Sequence, residues 1–203
     1  IYSKRIFEKT KPLDSSERKK QIIFSGNLKK LISIRFVETL NEIMKIVPEI
    51  IFLYYGPEYS IKHDSFESMF KDKEIKSRLR YGGDFEHIYC ENGTLVKDPR
   101  SEIFKNELSQ SMLFLNTFPN NGARSCIESY IMEVPVIHLD FKKEYWLKNK
   151  RLCPIRFPLI YTKSGTANSI QKYTEKAVHV INNSEFASKI INEQNLLLDK
   201  LLN

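Results

Sequence analysis

Apolar positions along the chain fall into short continuous runs separated by stretches with helical spacing. "QIIFSG", from Gln21, is a β-branched and aromatic run closed by Gly26, the pattern of a buried strand. From Ser33 to Val47, apolar Ile34, Val37, Leu40, Ile43, Met44 and Val47 recur at three- and four-residue steps. That spacing predicts an amphipathic helix, which Pro48 ends. "EIIFLYYG" predicts a second buried strand, closed by Gly56-Pro57. Residues 61 to 77 are mixed and predict helix, and "SRLRYGG" predicts a third, shorter strand ending at Gly82-Gly83. From Asp84 to Arg100, "ENGT" and "KDPR" signal turns, so a surface excursion is expected. A helix over Ser101 to Ser109 leads into the strand "MLFLNTF", then the turn "PNNGARS" with its helix, then "VPVIHL" as a fifth strand. A final strand, "PLIY" near Leu159, precedes helices from about Ala167 to Asn182 and from Ser184 to Leu202. Residues 1–20, with "KTKPLDSSERKK", carry no sustained period and are expected to be a lead-in to a domain over 21–203.

Apolar strands without internal alternation, alternating with amphipathic helices, imply a parallel sheet covered on both faces. The fold class is therefore α/β, doubly wound and Rossmann-like. Ligands of such sheets bind beyond the carboxyl ends of the strands, where loops lead into helices. That selects "SGNLKK" after the first strand, "GGDFEH" after the third and "TFPNNGARS" after the fourth.

The turn "PNNGARS" can present backbone N–H groups and the positive end of a helix dipole, the physical basis of a phosphate site. Gly122 permits close backbone approach, and Arg124 or Ser125 can add side-chain donors. Ser125 has a second possible role as helix N-cap, with Glu128 three residues later completing a capping box. Glu128 could instead accept hydrogen bonds from paired hydroxyls such as those of a ribose. In "GNLKK", a lysine can neutralise a diphosphate as a compact point charge, or simply be a solvated surface lysine. Pairing that loop with "PNNGARS" favours the first account, because the first and fourth strands flank the switch point of a doubly wound sheet. His138, at the end of an apolar run, fits a hydrogen-bonded core or edge histidine better than a catalyst. His87, after the third strand, is the histidine best placed to face a ligand. Trp146, Phe141 and Tyr145 are expected to pack.

Length and composition narrow the setting. The chain has 203 residues, enough for one domain with a full core. It opens on Ile1 rather than Met and is expected to be part of a longer protein. There is no run of about 18 apolar residues and no signal-peptide pattern. Cys90, Cys126 and Cys153 make an odd number without paired spacing, which fits a reducing, cytoplasmic compartment. The net charge of +7 and pI near 9.2 suit anionic partners, although a Lys- and Ile-rich composition accounts for them too. Basic residues are scattered in pairs without an aromatic ladder, which argues against nucleic acid. G-x-G-x-x-G and P-loop motifs are missing, and the four histidines lack metal-site spacing, so neither a cofactor nor a metal is expected.

"LFLNTFPNNGARSCIESYIMEVPVI" resembles the donor-binding motif of GT-B glycosyltransferases, most closely the O-GlcNAc transferase family with its bacterial N-glucosyltransferase relatives. "FSGNLKKLISIRFVETLNEIMKIVPEIIFLYYG" is similar to the first β-α-β unit of that family's C-terminal domain. Together the two segments lie within Gln21 to Leu139. The resemblance implies a transferase that moves a sugar from a nucleoside diphosphate, UDP being the better guess, to a protein or glycan acceptor without a metal. By position, Lys30 would contact the diphosphate, and Asn121, Gly122, Ala123, Arg124 and Ser125 would hold phosphate oxygens. Glu128 would bind the ribose, and backbone around Asp84 and Phe85 would lie near the base. The catalytic residues remain unknown, because the acceptor and often the base come from an N-terminal GT-B domain that is expected to lie outside this chain. The chain alone is therefore expected to be inactive or nearly so. Two departures stand out: Ala123-Arg124-Ser125 replaces His-Thr-Thr at the helix start, and Glu133-Val134 replaces a glycine before the Pro-Val pair. A retaining GT-B transferase of capsule or lipopolysaccharide synthesis is an alternative. Asn120 stands where that branch has its earlier glutamate. A non-catalytic nucleotide-sugar-binding module is another alternative.

Overall fold

A computed structural model of the chain describes residues 17–58, 61–84, 88–91, 94–119, 122–140 and 160–202. Six strands form one parallel sheet: β1 (Lys19–Ser25), β2 (Ile51–Tyr55), β3 (Leu79–Gly83), β6 (Ser111–Leu115), β7 (Val136–Leu139) and β8 (Thr166–Ala167). Their order is β3-β2-β1-β6-β7-β8, so the chain reverses direction across the sheet between β1 and β6. That boundary is the topological switch point, where a crevice opens above the strand ends.

The strands form where the apolar runs predict them. Ile22, Ile23, Phe52, Tyr54, Leu113, Phe114, Val136 and Ile137 are almost completely buried, as a sheet covered on both faces requires. Each large apolar side chain contributes about 1.5–3 kcal/mol on full burial. Helix α1 (Ile34–Ile46) buries Phe36, Val37, Leu40, Ile43 and Met44 against the sheet and is capped by Ser33. α4 (Arg100–Ser109), α5 (Arg124–Ile131), α6 (Ile170–Asn182) and α7 (Ser184–Leu202) occupy the other long helical segments.

Four boundaries differ from the sequence expectation. β1 starts at Lys19, and Arg18 is already buried, donating to the carbonyls of Ser111 at 3.0 Å and Glu133 at 2.9 Å. The domain therefore begins ahead of Gln21. The mixed segment 61–77 holds two short helices, α2 (His63–Glu67) and α3 (Lys73–Lys76). Asp72 starts the second, its Oδ1 accepting from the amides of Glu74 at 2.9 Å and Ile75 at 3.3 Å. The excursion after Asp84 contains an antiparallel hairpin, β4 (Ile88–Glu91) with β5 (Thr94–Lys97), with Glu91 opposite Thr94. Finally, the sixth strand is Thr166–Ala167 rather than "PLIY". The carbonyl of Ile160 accepts from the Tyr130 hydroxyl instead of joining a ladder, and Leu159 lies outside the described residues.

Candidate functional site

Two loops meet at the switch point. After β1 the chain passes Gly26 into a 3-10 turn over Leu28–Lys30, begun by Asn27, whose Oδ1 accepts from the Lys29 amide at 2.9 Å. The turn buries Leu28, leaves Lys29 exposed and directs Lys30 inward. Across the crevice, a side-chain carbon at Gly122 would stand 3.0 Å from Lys30 Nζ, so the ammonium lies against the glycine. Ser125 closes the other side, its hydroxyl donating to the Ser25 carbonyl at 2.8 Å. Burial pulls the Lys30 ammonium below its ordinary pKa. A partly desolvated cation is thus held beside the start of α5, where a helix carries amides that have no acceptor within the helix itself.

Beneath the turn runs a chain of buried hydrogen bonds. Asn116, immediately after β6, accepts from the Gly122 amide through Oδ1 at 2.9 Å. That leaves its Nδ2 facing His138 Nδ1 at 3.0 Å, and Tyr130 Oη lies 2.7 Å from His138 Nε2. The donors and acceptors order themselves: Asn116 Nδ2 donates to Nδ1, a proton on Nε2 donates to Tyr130 Oη, and Tyr130 donates to the Ile160 carbonyl. Tyr173 adds a bond from its hydroxyl to the Asn116 carbonyl at 3.0 Å. A second proton on His138 would point at an amide donor, and complete burial pushes its pKa down to about 3. His138 is therefore a neutral, hydrogen-bonded core histidine. Cys126 donates from its thiol to the Gly122 carbonyl at 2.8 Å, and burial pushes that thiol's pKa up.

The structure corrects the helix-start account. Ser125 is not an N-cap: the cap position is Ala123, Ser125 is inside α5, and its hydroxyl serves Ser25. Glu128 therefore completes no capping box. Its carboxylate is almost fully buried and accepts from Arg124 Nε at 2.9 Å, an opposite-charge pair one turn apart. The Gly122 amide is also committed, to Asn116, and so is not among the amides turned to the crevice. Lys30, Gly122, Ala123, Arg124, Ser125 and Glu128 lie together at the switch point. Asp84 follows β3, at the sheet edge two strands from β1. Phe85, His87, Asn121, Phe141, Tyr145 and Trp146 lie outside the described residues.

Sequence reasoning missed the Asn116–His138–Tyr130 chain, whose ends are too far apart in sequence for any local pattern. It also missed the Arg124–Glu128 pair, although opposite charges four residues apart were the available signal. Among the described residues there is no group of three His, Cys, Asp or Glu placed to hold a metal ion, and no helix is long and apolar enough to cross a membrane.

At the level of sequence, no family model and no curated protein matches the chain. Solved structures do. A mutant of Thermobaculum terrenum O-GlcNAc transferase superposes with a TM-score of 0.63 at 12% identity, over 90% of this chain and 32% of that one. A mutant of S. aureus TarM, solved in complex with UDP and other ligands, gives 0.62 at 17% identity, over 98% and 37%. The C-terminal domain of the group 1 glycosyl transferase LpcC from Francisella tularensis gives 0.55 at 14% identity, over 89% of this chain and 85% of that domain. The fold is that of a GT-B C-terminal half. As expected from the strand pattern, this GT-B half is a doubly wound parallel sheet with helices around it. It spans about a third of the length of the O-GlcNAc transferase and TarM chains.

Proposed function

We propose that this GT-B half is the donor-binding part of a glycosyltransferase, taking a nucleoside diphosphate sugar, UDP-linked by preference, and serving transfer to a protein or glycan acceptor without a metal. The observation that carries the reading is the Lys30 ammonium seated against Gly122 at the start of α5, across the switch point. Breaking the glycosidic bond builds charge on the leaving diphosphate. A preorganised cation and helix-terminal amides stabilise that charge without reorganising at the moment of reaction. Lys30 gains as well, since an arriving phosphate offsets the desolvation that depresses its pKa. In this scheme Gly122, Ala123, Arg124, Ser125 and Asn121 frame the phosphates, Glu128 takes the ribose hydroxyls, and backbone near Asp84 and Phe85 meets the base. The catalytic base and the acceptor site belong to a further N-terminal GT-B domain. The neighbours' bacterial sources and an odd number of cysteines without paired spacing support a bacterial, cytoplasmic setting.

Calorimetry with UDP, GDP and an unrelated oligonucleotide tests this. The reading requires one nucleotide to bind, unchanged by a chelator. If both nucleotides fail while the oligonucleotide binds with strong salt dependence, the glycosyltransferase reading is wrong.

A further inference from the structure

Helices α1 and α6 pack side by side and leave an open groove of about 420 Å³ between them, none of whose lining residues belongs to the switch-point crevice. That volume falls within the roughly 300–1,000 Å³ of small-molecule pockets. Ile46 and Val178 give the groove apolar walls, and each helix contributes a carboxylate, Glu42 from α1 and Glu175 from α6. Glu175 already holds a cation: it accepts from Lys172 Nζ at 2.6 Å and from Gln171 Nε2 at 2.9 Å. Glu42 is exposed and pairs with nothing among the described residues.

An independent feature lies beside these carboxylates. Thr174 also lines the groove, is only 4% exposed, and its hydroxyl is buried without a hydrogen-bond partner. Other helical hydroxyls in the chain return to the carbonyl one turn back, Thr39 to Arg35 and Ser129 to Ser125, each at 2.7 Å. Thr174 makes no such bond. A buried hydroxyl left open is costly, and folded chains keep few of them. Helical threonine has two side-chain rotamers at hand, so this hydroxyl can turn to a ligand.

We propose that the groove binds a small aliphatic ammonium, with its charge against Glu42, one N–H donated to the Thr174 hydroxyl and its methylenes along Ile46 and Val178. An ammonium offers three donors and no acceptor, which suits a carboxylate and a hydroxyl on one site. Two carboxylates repel an anion, and a wholly apolar ligand would leave Thr174 unsatisfied. The site stands apart from the donor crevice, so the inference does not depend on the donor-site reading.

NMR titration at low ionic strength tests it, with n-butylamine as the probe and n-butanol and butyrate as uncharged and anionic controls. Butylamine is expected to bind with a Kd on the order of 1 mM, shifting resonances of α1 and α6, and both controls at least about tenfold more weakly. Glu42→Gln should weaken butylamine about tenfold and Thr174→Val several-fold. Thr174→Val carries a second signature, because it removes an unpartnered polar atom at nearly the same shape: the free protein should be as stable as the parent or more so. 1,4-Diaminobutane and Nα-acetyl-lysine amide then separate a free amine from a partner's lysine side chain, the tighter of the two naming the source. Butanol binding as tightly as butylamine, unchanged affinity in Glu42→Gln, or a Thr174→Val that loses stability and keeps its affinity would each overturn the proposal.

Discussion

Lys30 meets two opposing demands: its stem is packed inward while burial disfavours the charge on its ammonium. Replacing it by Met removes the cation and keeps the bulk. Diphosphate affinity is expected to fall about 10- to 100-fold, with thermal stability unchanged or slightly raised because a partly desolvated charge is gone. The pH dependence should follow from its depressed pKa. The parent's affinity declines as pH rises through a value below the ordinary lysine range, and Lys30→Met is flat there. His138 gives a second pH signature of opposite sense. Its pKa is 6.5 ordinarily and about 3 when folded, so between these values the unfolded chain binds a proton that the folded chain refuses. Stability therefore falls as pH drops from about 6 toward 3, by up to about 1.4 kcal/mol per unit from this residue. Urea unfolding across that range should show a shallower slope in His138→Gln. At this scale the sequence was partly legible. Gly122 and the lysine pair of the first loop are selected by loop position, and the resemblance singles out Lys30, whereas the burial of Glu128 depends on what packs over α5, which spacing does not encode.

The turn that closes helix α5 falls at Glu133, where the motif the sequence resembles has a glycine. Glu133 has a φ of 55°, in the left-handed region. The amide of Val134 bonds the Ser129 carbonyl at 2.8 Å and that of Glu133 bonds Tyr130 at 3.0 Å, the paired closure of a Schellman cap. A non-glycine residue is strained there, so Glu133→Gly is expected to stabilise the fold by about 1 kcal/mol. The Glu133 carbonyl that Arg18 holds survives the change. A raised urea midpoint with unchanged slope checks it. The missing glycine was visible in the sequence, but its backbone conformation was not. Other elements show why pattern reading works unevenly. The five longer sheet strands announce themselves as apolar runs. β8 pairs with β7 through only His138↔Thr166 and Leu139↔Ala167, and two residues carry no period. The "ENGT" turn signal was legible, but strands of four residues on each side are too short to mark a hairpin by alternation alone.

At the scale of the molecule, the sheet order places the loops after β1 and β6 side by side at the switch point and sends Asp84 to the far side of β2. A donor laid across β1 to β3 would therefore span the sheet half, with its sugar at the crevice mouth. Given alone, this chain is expected to bind nucleotide weakly and to transfer sugar at background rate. A radiolabelled UDP-sugar assay with and without added acceptor peptide or glycan checks this, and robust turnover would refute the need for a second domain. The Gly122 amide shows what the buried chain beneath the crevice accomplishes. Though it lies in a loop, its proton is locked to Asn116 and, through His138 and Tyr130, to the sheet. Its hydrogen exchange should be as slow as that of the central strands. A loop whose amide exchanges like a strand has already surrendered its freedom during folding. A donor bound at Gly122 would then meet an amide that is as quiet before binding as after it, and the entropy of ordering it would no longer be charged to the ligand.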